Sequence, residues 1–191
     1  METVIFQGVE EERTRKIFLE TLNQFDDLKK YKLILRQKKI KGTTMQAQPV
    51  ISIANLLGGP DTYKIKLARY VRNSESIKIS NLPENVLKGW FAHELGHVVD
   101  YAPHSTFQMI TYGLKYLFSD SFKKAVEHRA DEIAIDAGFH QEILATKEFV
   151  FNHDLIDEPY KDQMRKYYMS IEAVEMCVKE KSLMQPTSQE I

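Results

Sequence analysis

The segment between Pro83 and Pro103 constrains the fold of this chain more than any other stretch of its sequence. Proline is favourable in the first turn of a helix and cannot continue one, so we predict a helix from Pro83 to about Tyr101. Two glycines inside that helix, Gly89 and Gly96, cost about 1 kcal/mol each relative to alanine. A strip of small side chains on one face would explain them, because it lets another element approach the helix closely.

The sequence before this helix predicts a small sheet. Residues 31–37 and 50–54 are rich in β-forming side chains, and residues 77–80 form a last short candidate strand. Residues 63–71 alternate apolar and polar side chains, which indicates a strand with one wet face at or near a sheet edge. An amphipathic helix is predicted before them, over residues 10–25.

The sequence after it predicts only helices. Ser119 or Asp120 can cap a helix over residues 121–137, which Gly138 would close. Further helices are predicted over residues 141–152 and 158–182. Strands followed by helices favour an α+β fold, with a small and mostly antiparallel sheet.

The length of 191 residues suits one domain. We expect residues 1–101, which include the central helix, to form an α/β upper lobe. Residues 102–191 would then form a helical lower lobe.

Composition argues against several classes of function. The 26 basic and 27 acidic residues leave a net charge of −1, which gives no electrostatic case for a nucleic-acid partner. The N-terminus lacks the apolar core of a signal peptide, and residues 107–118 are too short to span a bilayer, which needs about 20 residues. The single cysteine, Cys177, fits a reducing compartment. We therefore expect a cytoplasmic protein with no membrane span.

The central helix carries the letters HELGH, which match the zinc-hydrolase pattern H-E-x-x-H. His93 and His97 are four residues apart, so both imidazoles leave one helix face and can bind one ion. Glu94 lies beside that face, where it can act as general base on a zinc-activated water. Zn²⁺ suits two imidazoles and one carboxylate, with a fourth position left open.

The third ligand defines the class of zinc site. A metzincin would need glycine and histidine where this chain has Asp100 and Pro103. Thirty residues downstream of the first motif, the letters VEHRADE include E-x-x-A-D, and the two motifs together resemble those of the gluzincin metallopeptidases. The resemblance covers residues 77–138 and implies a zincin-like fold. It also implies that Glu127 is the third zinc ligand and that Asp131 orients a ligand histidine.

The chain is also similar to the ImmA/IrrE-type regulatory peptidases and to the lethal-factor-like peptidases. In gluzincins, the strand before the active helix pairs with extended substrate, and here that strand would be residues 77–80 or 63–71. Some members stabilise the oxyanion through a downstream His or Tyr. We rank His153 first and Tyr160 second, ahead of the other candidates Arg165, Tyr167 and Tyr168.

The predicted function is hydrolysis of peptide bonds in a peptide or protein substrate by a zinc-dependent metallopeptidase of the gluzincin type, acting as an endopeptidase. The alternative is a regulatory or binding protein that keeps the zincin scaffold and cleaves nothing, or only one dedicated partner. The general base Glu94 favours the peptidase, because binding zinc does not by itself require it.

Overall fold

The chain folds into a small sheet followed by a layer of helices. The computed structural model of the protein describes residues 4–40, 42–52, 58–72, 74 and 76–184. In chain order the elements are β1 (Val4–Gln7), α1 (Glu12–Leu22), β2 (Lys32–Gln37), β3 (Met45–Pro49), β4 (Thr62–Leu67), α2 (Glu84–Tyr101), α3 (Thr106–Phe118), α4 (Asp120–Asp136), α5 (His140–Asn152), α6 (Glu158–Tyr167) and α7 (Ile171–Met184). The predicted α+β class is confirmed.

The strands of the described residues form one mixed sheet in the order β1-β2-β4-β3. The β1–β2 and β2–β4 pairs are parallel, and only β3–β4 is antiparallel. The expectation of a mostly antiparallel sheet is therefore wrong. Helix α1 provides the crossover that the parallel β1–β2 pair requires, whereas alternation along a strand says nothing about the direction of its neighbours. Strand β4 lies one strand in from the edge, which confirms its predicted near-edge position.

Several predicted strands are wrong in place or extent. The strand expected at 50–54 is instead β3, Met45–Pro49, and residues 53 and 54 lie outside the described residues. Residues 77–80 make one isolated bridge, Tyr70 to Lys78, before a 3-10 turn at Ile79–Asn81. Strand β1 was not predicted. The sequence of β3, MQAQP, contains few β-forming residues, so its pairing with β4 outweighs its local preference.

The helix predictions succeed where the capping signals are local. Helix α2 spans Glu84–Tyr101 as expected. Helix α4 begins beside Ser119, whose hydroxyl accepts the Phe122 N–H, and Gly138 follows it with a φ of +92°. The prediction of one helix over residues 158–182 is wrong, because the helix is interrupted between α6 and α7. There the Ser170 hydroxyl accepts the Ala173 N–H and starts a new helix.

Helix α2 occupies the centre of the molecule, between α1, α4, α5 and strand β3. Its two glycines explain the close packing. A Cβ at Gly96 would fall well inside contact distance of the Ala130 carbonyl oxygen on α4. At Gly89 it would collide in the same way with the Glu142 carbonyl on α5. The predicted packing reason for these glycines is therefore confirmed, with a different helix at each one.

We expect Gly96→Ala to lower the free energy of unfolding by about 1–3 kcal/mol, because the new methyl group must push the α4 backbone away. Gly113→Ala is the matched control, since this helical glycine on α3 has open space around its missing Cβ. That change should raise stability by about 0.5–1 kcal/mol, as alanine for glycine does in an uncrowded helix. Urea unfolding of both variants checks the pair, and equal effects would contradict the packing at Gly96.

Candidate metal centre

Three side chains that can bind a metal ion converge from α2 and α4. The carboxylate oxygen Oε2 of Glu127 lies 3.1 Å from Nε2 of His93 and 3.3 Å from Nε2 of His97. All three side chains are buried, and their ligand atoms lie within 4.8 Å of one another. The structure thus brings the three predicted ligands together in a group that could hold a metal ion.

The packing of the two helices produces this convergence. Gly96 stands between the two histidines on α2 and touches Ala130, which stands between Glu127 and Asp131 on α4. Residues three and four apart share one helix face, so the contact turns both pairs of polar side chains toward each other.

Asp131 lies behind His93, as the resemblance implied. Its Oδ1 is 2.8 Å from Nδ1 of His93, which leaves Nε2 of that ring directed at Glu127. A carboxylate in this position fixes the tautomer and the orientation of a metal-binding imidazole. The other carboxylate oxygen, Oδ2, accepts hydrogen bonds from Nζ of Lys147 at 2.8 Å and from the Met169 N–H at 3.3 Å.

Glu127 is held by a residue that the sequence did not single out. The hydroxyl of Tyr116, on α3, donates to Oε1 of Glu127 and leaves Oε2 free to face both histidines. Burial acts to raise the pKa of Glu127, but the neighbouring His97 and His93 outweigh it and hold that pKa well below its usual range. Glu127 is therefore an anion at neutral pH.

The site gathers three buried carboxyl groups around one buried lysine. Glu94, Glu127 and Asp131 are all buried within it, and Lys147 is the lysine that contacts one of them. Burial lowers the pKa of His93, but hydrogen bonds to Asp131 and Glu127 outweigh burial and raise the pKa from 6.5 to about 10. His93 therefore holds a proton at neutral pH, and a metal ion that bound to this ring would have to displace that proton.

Glu94 is buried beside the three ligand side chains and makes no ion pair with them. One of its oxygens, Oε2, accepts the backbone N–H of Ala47 on strand β3. Burial raises the pKa of Glu94, with smaller opposing effects from the two histidines. A carboxyl group with a raised pKa binds a proton more readily than an ordinary glutamate does, which suits a group that takes up and releases one.

A cleft of about 460 Å³ opens onto the site. Strand β3 forms one part of its wall, and α3 contributes another part through side chains that include Met109, Tyr112 and Leu117. Glu94, His97 and Glu127 line it together. A second, smaller cavity of about 30 Å³ lies behind the site and is lined by Glu94, Lys147, Tyr160 and Tyr168, among others. Its volume suits about one water molecule.

The structure places the candidate oxyanion residues unequally. Tyr168 lines both cavities, and its ring centroid lies 5.3 Å from that of His93. Tyr160 lines the small cavity, with its hydroxyl 3.4 Å from Oγ1 of Thr44. His153 ends α5, where its Nδ1 accepts the Leu155 N–H and its ring packs on Phe149. His153 lines neither cavity.

The remaining two candidates lie on the exposed side of α6. Tyr167 donates to Asp120, and Arg165 pairs with Asp162 and Glu158. Their polar groups are therefore already paired outside the cleft. Among these candidates for the oxyanion-stabilising residue, Tyr168 is the one that lines the cleft and also lies against His93.

Sequence reasoning missed Tyr116, Lys147 and the wall formed by β3. Tyr116 lies within residues 107–118, which the sequence analysis considered only as too short to span a bilayer. Lys147 lies in the predicted helix over residues 141–152, where nothing in the sequence distinguishes it from a solvent-exposed lysine. The capping box of Ser105 and Gln108 could have identified α3, and with it Tyr116 as a helical residue next to α4.

Comparisons of the chain with family models, with curated proteins and with solved structures found no match. Among the described residues, no helix is both long enough and apolar enough to cross a membrane. The interpretation of the site therefore depends on its own geometry and chemistry.

We expect the purified protein to carry about one transition-metal ion per chain, because the buried carboxylates require a compensating cation. Glu127→Gln should lower metal affinity at least about tenfold, since an amide oxygen is a weaker ligand than a carboxylate. The matched control is Glu132→Gln, an exposed carboxylate on the same helix, which should retain the metal. Elemental analysis after dialysis measures all three proteins, and equal metal content in the two variants would contradict the assignment of Glu127.

Proposed function

We propose that this protein is a zinc-dependent peptidase of the gluzincin type that hydrolyses a peptide bond in an extended segment of its substrate. The observation that carries the proposal is the convergence of the buried side chains of His93, His97 and Glu127, two of which line the cleft together with the buried carboxylate of Glu94. A binding site for a structural metal has no need of an additional buried carboxylate that ligates nothing.

The donor set and its spacing favour zinc. Zinc bonds to nitrogen and oxygen are about 2.0–2.2 Å long, so two ligands of a tetrahedral ion lie roughly 3.3 Å apart. The two histidine nitrogens lie 3.1 and 3.3 Å from Oε2 of Glu127, which agrees with that spacing. A mixed set of two imidazoles and one carboxylate is also typical of catalytic rather than structural zinc sites.

When bound, zinc supplies Lewis-acid activation of water and of the scissile carbonyl. The residues of the chain supply the rest of the mechanism. His93, His97 and Glu127 would hold the ion, and Asp131 keeps the His93 ring in the required tautomer. Glu94 takes a proton from the attacking water and delivers it to the nitrogen of the departing amine.

Tyr168 is our choice for the group that donates a hydrogen bond to the developing oxyanion, in preference to His153 and Tyr160. It borders the cleft on the side of His93, whereas His153 lies outside it and the hydroxyl of Tyr160 faces Thr44. Burial raises the pKa of the Tyr168 phenol well above 10, so the hydroxyl keeps its proton and remains a donor.

Strand β3 is the surface on which we expect the substrate to bind, in place of the strands proposed from the sequence. It pairs with β4 along one edge, and the Ala47 N–H on the other edge points to Glu94. Backbone groups of alternate residues leave the same edge of a strand, so the amide groups of Met45 and Ala47 face the cleft. An extended peptide could add to this edge with its backbone held beside Glu94.

We expect Glu94→Gln to lower kcat/KM by about 10²–10⁴, because the amide cannot accept the proton from water. Glutamine has almost the same shape and can still accept the Ala47 N–H, so zinc content and folding should not change. Glu148→Gln, an exposed carboxylate on α5, is the control and should keep full activity. Cleavage of a peptide library, followed by mass spectrometry, gives the measurement.

If the wild-type protein holds zinc but shows no cleavage that is lost in Glu94→Gln, the result would contradict the peptidase and favour the scaffold alternative. Retention of wild-type activity by Glu94→Gln would exclude Glu94 as the general base. Either result leaves the metal site itself in place, because metal content is measured separately.

The α3 wall of the cleft predicts a preference for large apolar side chains in the substrate. Leu117 lines the cleft and is 73% exposed, so Leu117→Asp should fold normally while placing a charge in the cleft. We expect cleavage of apolar peptides to fall at least about tenfold. Leu183→Asp, at a site that is 77% exposed on α7, is the matched control. Equal activity of the two variants would exclude this part of the cleft from substrate binding.

A further inference from the structure

Lys147 is a buried cation that the proposed mechanism does not use. It lies on α5, is 2% exposed, and directs its ammonium group toward the α4 face that carries Asp131. A buried ammonium group loses its hydration, so it is retained in a folded protein only where an anion or other acceptors replace the water. Here the Asp131 carboxylate, 2.8 Å away, is the anion.

The contact forms part of a continuous chain of polar groups that ends at a metal ligand. Oδ2 of Asp131 accepts a hydrogen bond from Lys147, and Oδ1 of the same carboxylate is hydrogen-bonded to Nδ1 of His93. The two oxygens of one carboxylate are rigidly connected. A donor that fixes the position of Oδ2 therefore also fixes the plane in which Oδ1 meets the imidazole.

Asp131 has a third donor, which ties in another part of the site. The Met169 N–H reaches Oδ2 at 3.3 Å, from the junction between α6 and α7. Tyr168 precedes it in the chain, with its ring centroid 5.7 Å from Nζ of Lys147. Helices α2, α4 and α5 and this junction thus meet at one carboxylate.

We propose that Lys147 is a positioning residue of the metal centre, which orients His93 toward the ion by locking the Asp131 carboxylate from behind. The inference rests on the proposed metal site, but it does not depend on the reaction that the site performs. It differs from a role as a simple counter-charge, in which removal of Lys147 would leave zinc affinity unchanged or raise it, because one positive charge near the ion would be lost.

A double-mutant cycle on zinc affinity tests the proposal. The proteins are wild type, Lys147→Met, Asp131→Asn and the double variant, each titrated with Zn²⁺ in competition with a chelator. We expect each single change to weaken zinc binding about 10–100-fold, as loss of an outer partner of a ligand histidine does. The double variant should lose no more zinc affinity than the single variant that binds zinc more weakly, because both changes break the same chain of contacts.

Lys161→Met is the matched control. Lys161 is also a buried lysine, 8% exposed, but its partner is Glu158 on α6, and within the described part of the chain no polar contact connects that pair to His93. This change should alter stability and leave zinc affinity within about twofold of wild type. Absorption spectra of the Co²⁺-loaded proteins provide a second readout, which should change in Lys147→Met and stay the same in Lys161→Met.

Folding is checked for every variant by circular dichroism, and Lys147→Gln replaces Lys147→Met in the cycle if the methionine variant does not fold. Zinc affinity that is unchanged or increased in the folded Lys147 variant, with an unchanged Co²⁺ spectrum, would overturn the positioning role while leaving the metal site intact. A loss of zinc affinity in the double variant equal to the product of the two single losses would also overturn the positioning role, because Lys147 would then act independently of Asp131. A wild-type protein that binds no zinc would remove the proposed function together with this inference.

Discussion

The backbone contact between Gly96 of α2 and Ala130 of α4 is the constraint on which the site depends. The absence of a side chain at Gly96 lets the two helices approach until their polar side chains lie within hydrogen-bonding distance of one another. The distances of 3.1 and 3.3 Å from Glu127 to the two histidines follow from that approach. A wider separation of the helices would leave two histidines on one surface and a carboxylate on another.

The cost of this arrangement is a concentration of negative charge in the interior. Glu94, Glu127 and Asp131 are buried together, and isolated buried carboxylates are strongly unfavourable. The molecule offsets them with donors from several elements: Tyr116 on α3, the Ala47 N–H on β3 and Lys147 on α5. The charge that remains accounts for the raised pKa of His93, and a divalent cation would neutralise it.

The parts of the fold that the sequence predicted well are those governed by local chemistry. Pro83 and the cap at Ser119 mark where α2 and α4 begin, and both helices have the expected extent. The break before α7 was missed, although Ser170 is a capping residue, because the apolar stripe runs on through it. Strand β3 was missed for a different reason, since its sequence has little strand preference and only its pairing with β4 makes it a strand.

The sequence by itself determined which residues are candidate metal ligands, because residues at fixed helical spacing leave the same face whatever surrounds them. His93, Glu94 and His97 follow from one helix, and the resemblance of the second motif added Glu127 and Asp131. Only the tertiary structure decided what surrounds them: the cleft wall at β3, the donor Tyr116, the buried Lys147, and Tyr168, which lines the cleft where His153 does not. These residues lie far apart along the chain. They meet because two residues without side chains, Gly96 and Gly89, let α2 pack closely against α4 and α5.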